Sequence, residues 1–391
     1  MDIECDVLIV GGGPAGLSVA SSLADNISSV VVHQDAEIGK PVRTSGGSWV
    51  KDLQELDIPP HLYQVVNQID LYSDNEKASF KAEKNLGAVL DVTALYQYLA
   101  SLSEAKNHRL LLSSKFITAE KYADGHYIST IRSRAAGDTK IKSKYIVDAS
   151  GWHSVVIRDQ GLGHKPTKIG IASEYEFDLG DNNPQRIILF LGSAAHKGYG
   201  WIFPTADNKL RIGLGSLKSA LDQTPRQRLD DFLAAGHLKR YGITIDDNEI
   251  KHVMAGIMPM VVYEKNLVFG NIIRVGDSAN YATPTVLEGI KTCIKYGRLL
   301  GEQLSKAIEG DSTKHLKAYE KQCNRDLKMN YLIGYSMAKR NYDYTVEDWD
   351  KSIRRAGRLS EDELVGLLRC EFSVNMIVKV IYKNIRAKLF G

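Results

Sequence analysis

The chain has 391 residues, 43% hydrophobic and 25% charged, with a formal net charge of +3. That length buries two or three cores, and that charge is too small to make nucleic acid the principal partner. Four cysteines (Cys5, Cys293, Cys323, Cys370) lie far apart without a CxxC pair, which excludes a disulfide framework or a cysteine metal site and suits a reducing cytoplasm. Asp2, Glu4 and Asp6 stand where a secretory signal would be positive, and no apolar run approaches the roughly 20 residues of a membrane span.

The first predicted elements are in "CDVLIVGGGPAGLSVASSLAD". Val7 to Val10 form a short apolar run of the kind a parallel sheet buries on both faces. Gly11, Gly13 and Gly16 then fill a GxGxxG turn, with Pro14 and Ala15 opening a helix. The first glycine makes the turn, the second admits a pyrophosphate, and the third lets helix and strand pack closely. The helix N-terminus offers free N–H groups to the phosphates. Val30 to Val32 supply the next strand and complete a βαβ start. Its end should carry a carboxylate for the ribose hydroxyls, yet His33 stands there, followed by Gln34. A neutral imidazole accepts a hydrogen bond less strongly than a carboxylate. Two readings stay open: ribose contact, or a residue that merely closes the strand.

"EIGKPVRTSGGSW" follows, with Gly46 and Gly47 permitting close backbone approach. "YIVDASGWHSVVIR" is a second strand entering a glycine turn at Gly151, and "IIRVGDSANYATPTVLEGI" a third, with Gly276, Asp277, Pro284, Gly289 and Ile290. Asp277 can accept hydrogen bonds from a ribityl chain. A helix beginning near Gly289 would aim its N–H groups at the flavin N1–C2=O edge. In order across about 280 residues the three segments resemble the fingerprints of FAD-binding flavoproteins, and the resemblance implies FAD.

The second turn resembles that of the flavoprotein group typified by aromatic hydroxylases, with Ser150 in the usual aspartate position and Gly151, Ser154 and Arg158 in step. "EIGKPVRTSGGSW", "GYGWIFP" and the Gly276–Ile290 segment together resemble the geranylgeranyl reductase family, over about residues 5 to 300. Tyr199, Trp201, Phe203 and Pro204 match that family's PxYxWxFP motif, with Lys197 replacing its first proline. The resemblance implies that Arg43, Thr44 and Ser45 contact the cofactor. Thr44 aligns with a family cysteine, and a hydroxyl is far too weak an acid for a thiolate role. Thr44 and Ser45 can also be read as ordinary turn residues. Val92 replaces an arginine of many relatives, Leu287 a glycine and Ser150 an aspartate. These departures leave the electron donor open, NAD(P)H or another reductant.

Residues 165–265 alternate in strand fashion around one helix, as an antiparallel substrate sheet would. Tyr199, Trp201 and Phe203 share one strand face, as core or as the wall of an apolar pocket. His196 and Lys197 read as a polar-head site or as solvated loop. Past residue 310 the chain is helical and basic. Val374, Ile377, Val378, Ile381 and Ile385 make one face of the last segment, and Lys379, Lys383 and Arg386 another, to rest on an anionic membrane or on the protein body.

The expected fold is α/β, a Rossmann-like FAD-binding domain with an inserted antiparallel-sheet substrate domain and a C-terminal helical region. The boundaries are 1–60, 92–162 and 265–310 for the first, 61–91 and 163–264 for the second, and 311–391 for the third. The resemblance implies hydride transfer from reduced flavin to a carbon–carbon double bond of a prenyl or similarly apolar small molecule. Tyr199, His196, Tyr281 and His153 are candidate acids, with no metal and no nucleic-acid partner. A monooxygenase or halogenase-like enzyme, a redox-neutral cyclase and a non-catalytic flavin carrier are the other readings. The expected setting is cytoplasmic, with peripheral membrane contact as an option and the oligomeric state undetermined.

Overall fold

A computed structural model describes residues 3–83, 86–106, 108–135, 137–179, 185–220, 222–245 and 249–373. The basic amphipathic face beginning at Val374 lies outside them. One eight-stranded sheet organises the nucleotide half. Six strands run Val268–Phe269, Ile272–Arg274, Gly137–Asp148, Ile3–Val10, Ser29–Val32, Arg109–Leu111, and off this path Tyr127–Ser133 pairs with Gly137–Asp148 and with Ser114–Lys121. Ile3–Val10 pairs in parallel with both Gly137–Asp148 and Ser29–Val32. Val7, Leu8 and Ile9 are fully buried because both faces are covered. Val7 and Ile9 join a core with the helices Pro14–Ser22, Ile290–Glu309 and Lys314–Asn341, while Leu8 and Val10 pack on Phe116, Tyr127 and Ile157.

Helix Pro14–Ser22 lies against helix Ile290–Glu309 at very close range. A methyl group on Gly297 would fall 2.6 Å from the Ala15 carbonyl oxygen, and one on Gly301 2.6 Å from that of Val19. The small residues at these two positions set the spacing, and with it the distance between the first and third glycine turns.

The seven-stranded sheet runs His252–Pro259, Ile169–Asp178, Lys209–Leu217, Gly198–Pro204, Ile187–Phe190, Gln68–Tyr72, Lys77–Lys81. Alternation divides its two faces. Tyr175, Phe177, Ile188, Phe190, Ile202 and Ile212 form a core with Leu229 and Phe232 of helix Pro225–Ala234. That helix starts on a reciprocal capping box between Thr224 and Gln227. The opposite face turns toward the glycine turns.

Two boundaries differ from expectation. Residues 61–91 divide between sheets: Tyr63–Val66 and Gly87–Leu90 pair with Gly47–Trp49 in a three-stranded sheet, while Gln68–Tyr72 and Lys77–Lys81 join the seven-stranded one. The C-terminal helices Val346–Ala356 and Glu361–Leu368 are not a body apart, because Ile353, Leu364 and Leu368 share a core with Trp49, Phe80 and Trp201.

Candidate functional site

At the nucleotide end, Gly11 has a φ of +121°, and a side chain there would strike the Ala149 carbonyl oxygen. Gly16 is bound as tightly, with a Cβ placed 2.0 Å from the Gly11 carbonyl oxygen. Gly13 differs. A Cβ there meets nothing within 4 Å, so open space faces the start of helix Pro14–Ser22. Gly276, with a φ of +71°, abuts Ala15 and brings the third turn against the first.

His33 is turned inward, its Nδ1 accepting the Gly12 N–H at 3.2 Å. Burial holds its pKa below the usual value, which keeps the ring neutral and able to accept. The carboxylate of this corner belongs instead to Asp35, two residues on, which receives both terminal guanidinium nitrogens of Arg43 at 2.7 and 3.1 Å. Gln34 is exposed. At the second turn, Asp148 is fully buried and accepts from the Ser150 N–H and hydroxyl and from the Val156 and Ile157 N–H groups. It staples the turn at Gly151 to the short helix that follows. Asp277 is half-buried, its enclosed Oδ1 has no partner, and desolvation pushes its pKa up to about 6.

Between the turns and the seven-stranded sheet lies a cavity that opens to solvent. Arg43, Thr44 and Ser45 line one part with Leu287, Glu288, Gly289 and Ile290. Leu287 holds a φ of +59°, the left-handed conformation for which a glycine is the ordinary residue. The sheet supplies the other wall in rows set by strand register. Glu174 pairs with Gly213, and Gly213 with Trp201; Ala172, Gly215 and Tyr199 form the next row, and Glu176, Arg211 and Phe203 the one beyond.

Gly213 is the space in which Trp201 lies, since a Cβ there would sit 2.3 Å from the indole. The ring crosses the glycine and donates its Nε1–H to Glu174 Oε2. Glu174 Oε1 is left buried without a partner. Burial raises the pKa of this carboxyl to about 7, against the opposing pull of Arg211 and the indole. Arg211 itself is committed to Glu176 at 2.9 Å and to the carbonyls of Ser45 and Leu90 at 3.1 Å each, tying the sheet to the Thr44–Ser45 turn.

A family model described as an FAD binding domain matches residues 85–329, and one described as an FAD dependent oxidoreductase matches residues 6–159. Digeranylgeranylglycerophospholipid reductase 3 of Methanosphaera stadtmanae is 24% identical over 99% of this chain and 97% of its own. Digeranylgeranylglycerophospholipid reductase 1 of Methanothermobacter thermautotrophicus is 28% identical over 84% of each chain. The fold is similar to that of a geranylgeranyl bacteriochlorophyll reductase-like protein of Thermoplasma acidophilum, with a TM-score of 0.85 and 23% identity over 100% of this chain and 99% of that one. The chain belongs to the FAD binding domain family and is similar to these reductases.

It is an FAD-dependent oxidoreductase, and the residues present fit that cofactor. The open space at Gly13 can take a phosphate, the orphaned Asp277 oxygen needs a hydroxyl donor, and Gly289 opens helix Ile290–Glu309 without a side-chain cap. Among the described residues no group of three or more His, Cys, Asp or Glu could hold a metal, and no helix is long and apolar enough to cross a membrane.

Of the residues singled out by sequence in this geranylgeranyl reductase relative, Arg43, Thr44, Ser45, Tyr199, Trp201, Phe203, Gly289 and Ile290 all line the cavity. Three candidate acids do not. His196 is exposed, and only its carbonyl is engaged, by the Ser216 hydroxyl. His153 is exposed beside Trp152. Tyr281 points into the helical core, 2.7 Å from the Tyr319 hydroxyl and 3.5 Å from Cys323 Sγ. Tyr199 reaches the cavity but gives its hydroxyl hydrogen to the Val286 carbonyl at 2.5 Å, and burial raises its pKa well above the phenolic norm. Pro284 is half-buried and lies outside the lining. Val92, in the arginine position, is a core residue packed at Gly46. Sequence reasoning missed Glu174, Arg211, Met254, Met258 and Leu368. The one available signal was Glu174 two positions from Ala172 in "IASEYEF", on the same strand face.

Proposed function

We propose that this flavoprotein reduces carbon–carbon double bonds of a prenyl chain, or of a similarly apolar small molecule, held between the glycine turns and the sheet wall. One observation carries the reading: Trp201, Phe203, Leu189, Met254 and Met258 wall the same cavity that Arg43–Ser45 and Leu287–Ile290 line. The names of the two archaeal relatives support the same substrate class. Reduced FAD supplies the hydride when bound.

The chain's own residues bind, orient and keep the site dry. Gly11, Gly13, Pro14, Ala15 and Gly16 would hold the pyrophosphate, with Asp35, through its bond to Arg43, and His33 at the ribose corner. Asp277 would take a ribityl hydroxyl, and the first N–H groups after Gly289 would face the ring edge where negative charge develops. Gly151 and Gly276 shape the turns around it. Trp201 and Phe203 exclude water and fix the chain against the ring. In this reading the nucleotide-binding body comprises 1–60, 92–162 and 265–310, and the seven-stranded sheet is the substrate body.

A lipid substrate favours peripheral membrane contact. Val253 and Ile257, 51% and 40% exposed, point outward from the strand whose Met254 and Met258 line the cavity, which supports contact at that edge.

The test is anaerobic. Photoreduced enzyme mixed with a geranylgeranylated glycerolipid in micelles is expected to reoxidise, with a saturated bond in the product. Reoxidation that occurs only after oxygen is admitted, with an oxygen atom gained by the product, would replace this reading with a monooxygenase, and substrate conversion without any change in flavin colour would replace it with a cyclase.

A further inference from the structure

We propose that Glu174 is the proton donor of this reaction, delivering a proton from the sheet wall to the carbon next to the one that takes the hydride. The inference rests on the reading of the chain as an alkene reductase. Hydride addition to an isolated double bond needs an acid within hydrogen-bond reach of the neighbouring carbon.

The cavity offers few acids. Thr44, Ser45, Ser48 and Ser173 carry hydroxyls far too weakly acidic. The Tyr199 hydroxyl is spent on the Val286 carbonyl. Glu288 also lines the cavity with a buried, unpartnered Oε2, and burial raises its pKa against the charges of Lys291 and Arg369, but its Oε1 accepts the Lys291 N–H at 2.9 Å at the start of the helix that follows. It also stands in the turn proposed to hold the cofactor, not across from it.

Glu174 differs in position, on a strand of the sheet and not in the turn. It sits on the substrate wall, 3% exposed, with one carboxyl oxygen fixed by the Trp201 indole and the other unpartnered. Arg211 is the cation whose charge acts on it, and its hydrogen bonds go to Glu176, Ser45 and Leu90. The charged and titratable surroundings are Glu176 on its own strand, Arg211 on the next, Tyr199 beyond, and Arg43 and Glu288 at the turns. Met254 pairs with it from the outer strand and brings no charge. The protonated form is therefore available near neutral pH, as burial of the carboxyl directs.

The step balances. The π electrons of the alkene form a new C–H bond to the proton leaving Glu174, and the hydride forms the second C–H bond. The alkene gains two electrons and the reduced flavin loses them, to be restored by an external two-electron donor (dithionite in the test). The Glu174 carboxylate keeps the indole N–H and takes a proton back from water at the open end of the cavity.

The test has a spectroscopic arm and a kinetic arm. In the FAD-loaded enzyme, infrared difference spectra from mildly acid to mildly alkaline pH should show a protonated-carboxyl carbonyl band that titrates near neutrality and is missing in Glu174→Gln. Glutamine still accepts from Trp201, so FAD occupancy should be kept. Anaerobic single turnover with a geranylgeranylated glycerolipid should then be at least ~100-fold slower in Glu174→Gln, with its fall at alkaline pH abolished. Glu174→Asp should recover part of the rate and the pH dependence, which a residue serving only to seat Trp201 would not require. A titrating band that survives in Glu174→Gln, or an unchanged rate and pH profile in that variant, overturns the assignment while the reductase reading stands. Wild-type enzyme that the lipid fails to reoxidise overturns the reductase reading itself, and the assignment with it.

Discussion

Asp277 and Glu174 each carry a buried carboxyl oxygen without a partner, and each predicts a different loss. An unpartnered buried charge is tolerated where a ligand completes it. Asp277→Ala should weaken FAD binding by about 10- to 100-fold, the worth of one or two charge-assisted hydrogen bonds. Fluorescence titration of the apoprotein with FAD measures it, and unchanged affinity would remove Asp277 from the cofactor site. For Glu174 the readout is stability. Its pKa in the fold, about 7, lies above the ordinary carboxylate value. In the window between the two, the folded protein holds a proton that the unfolded chain has released. Stability from this group is thus complete at acid pH and declines as pH rises toward about 7, by on the order of 3 kcal/mol. Glu174→Gln should be flatter across that window in thermal melts, gaining on wild type at alkaline pH. Parallel curves would show that Glu174 ionises at its usual pKa.

At the scale of elements, what could be read from sequence followed from local constraint. The glycine turns were legible because backbone contact within a few residues demands glycine at fixed spacing, as at Gly11 and Gly16. Tyr199, Trp201 and Phe203 could be placed on one face because a strand alternates. The acid across from them could not. Glu174 meets Trp201 only through the register of three strands, with Gly213 as the gap between them, and no local pattern encodes that register. Tyr281 was misplaced for a related reason: it follows the third turn in sequence, yet packing against helix Lys314–Asn341 sends its ring into the core.

Two substitutions test these elements separately. Gly213→Val should expel the indole and lower kcat/KM at least ~10-fold with FAD occupancy near that of wild type, because the row lies on the substrate wall. Turnover and absorbance on the same sample decide it, and joint loss of FAD would count against the division of labour. Gly301→Ala wedges a methyl group between two helices and should cost about 1–3 kcal/mol. A lowered Tm with the flavin spectrum retained is expected, and no change in Tm would mean the helices separate freely.

Over the whole molecule, the site is an assembly of distant segments. The turns come from residues near 11, 43, 151 and 276, the wall from 172 to 258, and Leu368 of the last described helix completes the cavity. The parallel sheet was legible as a βαβ start. The division of 61–91 between two sheets and the return of the C-terminal helices to the cavity were not, since both depend on pairing across hundreds of residues. This convergence places an apolar wall and the buried Glu174 carboxyl in the same cavity as Arg43–Ser45 and Leu287–Ile290.

The most direct test of that arrangement is the mass of the product formed from a geranylgeranylated glycerolipid, with chemically reduced enzyme in deuterium oxide. The account predicts a product saturated at one double bond, with one deuterium on each of its two carbons, since the flavin N5 hydrogen exchanges with solvent as the carboxyl proton does. A product that gains an oxygen atom, or a lipid recovered unchanged beside fully reduced flavin, would contradict it.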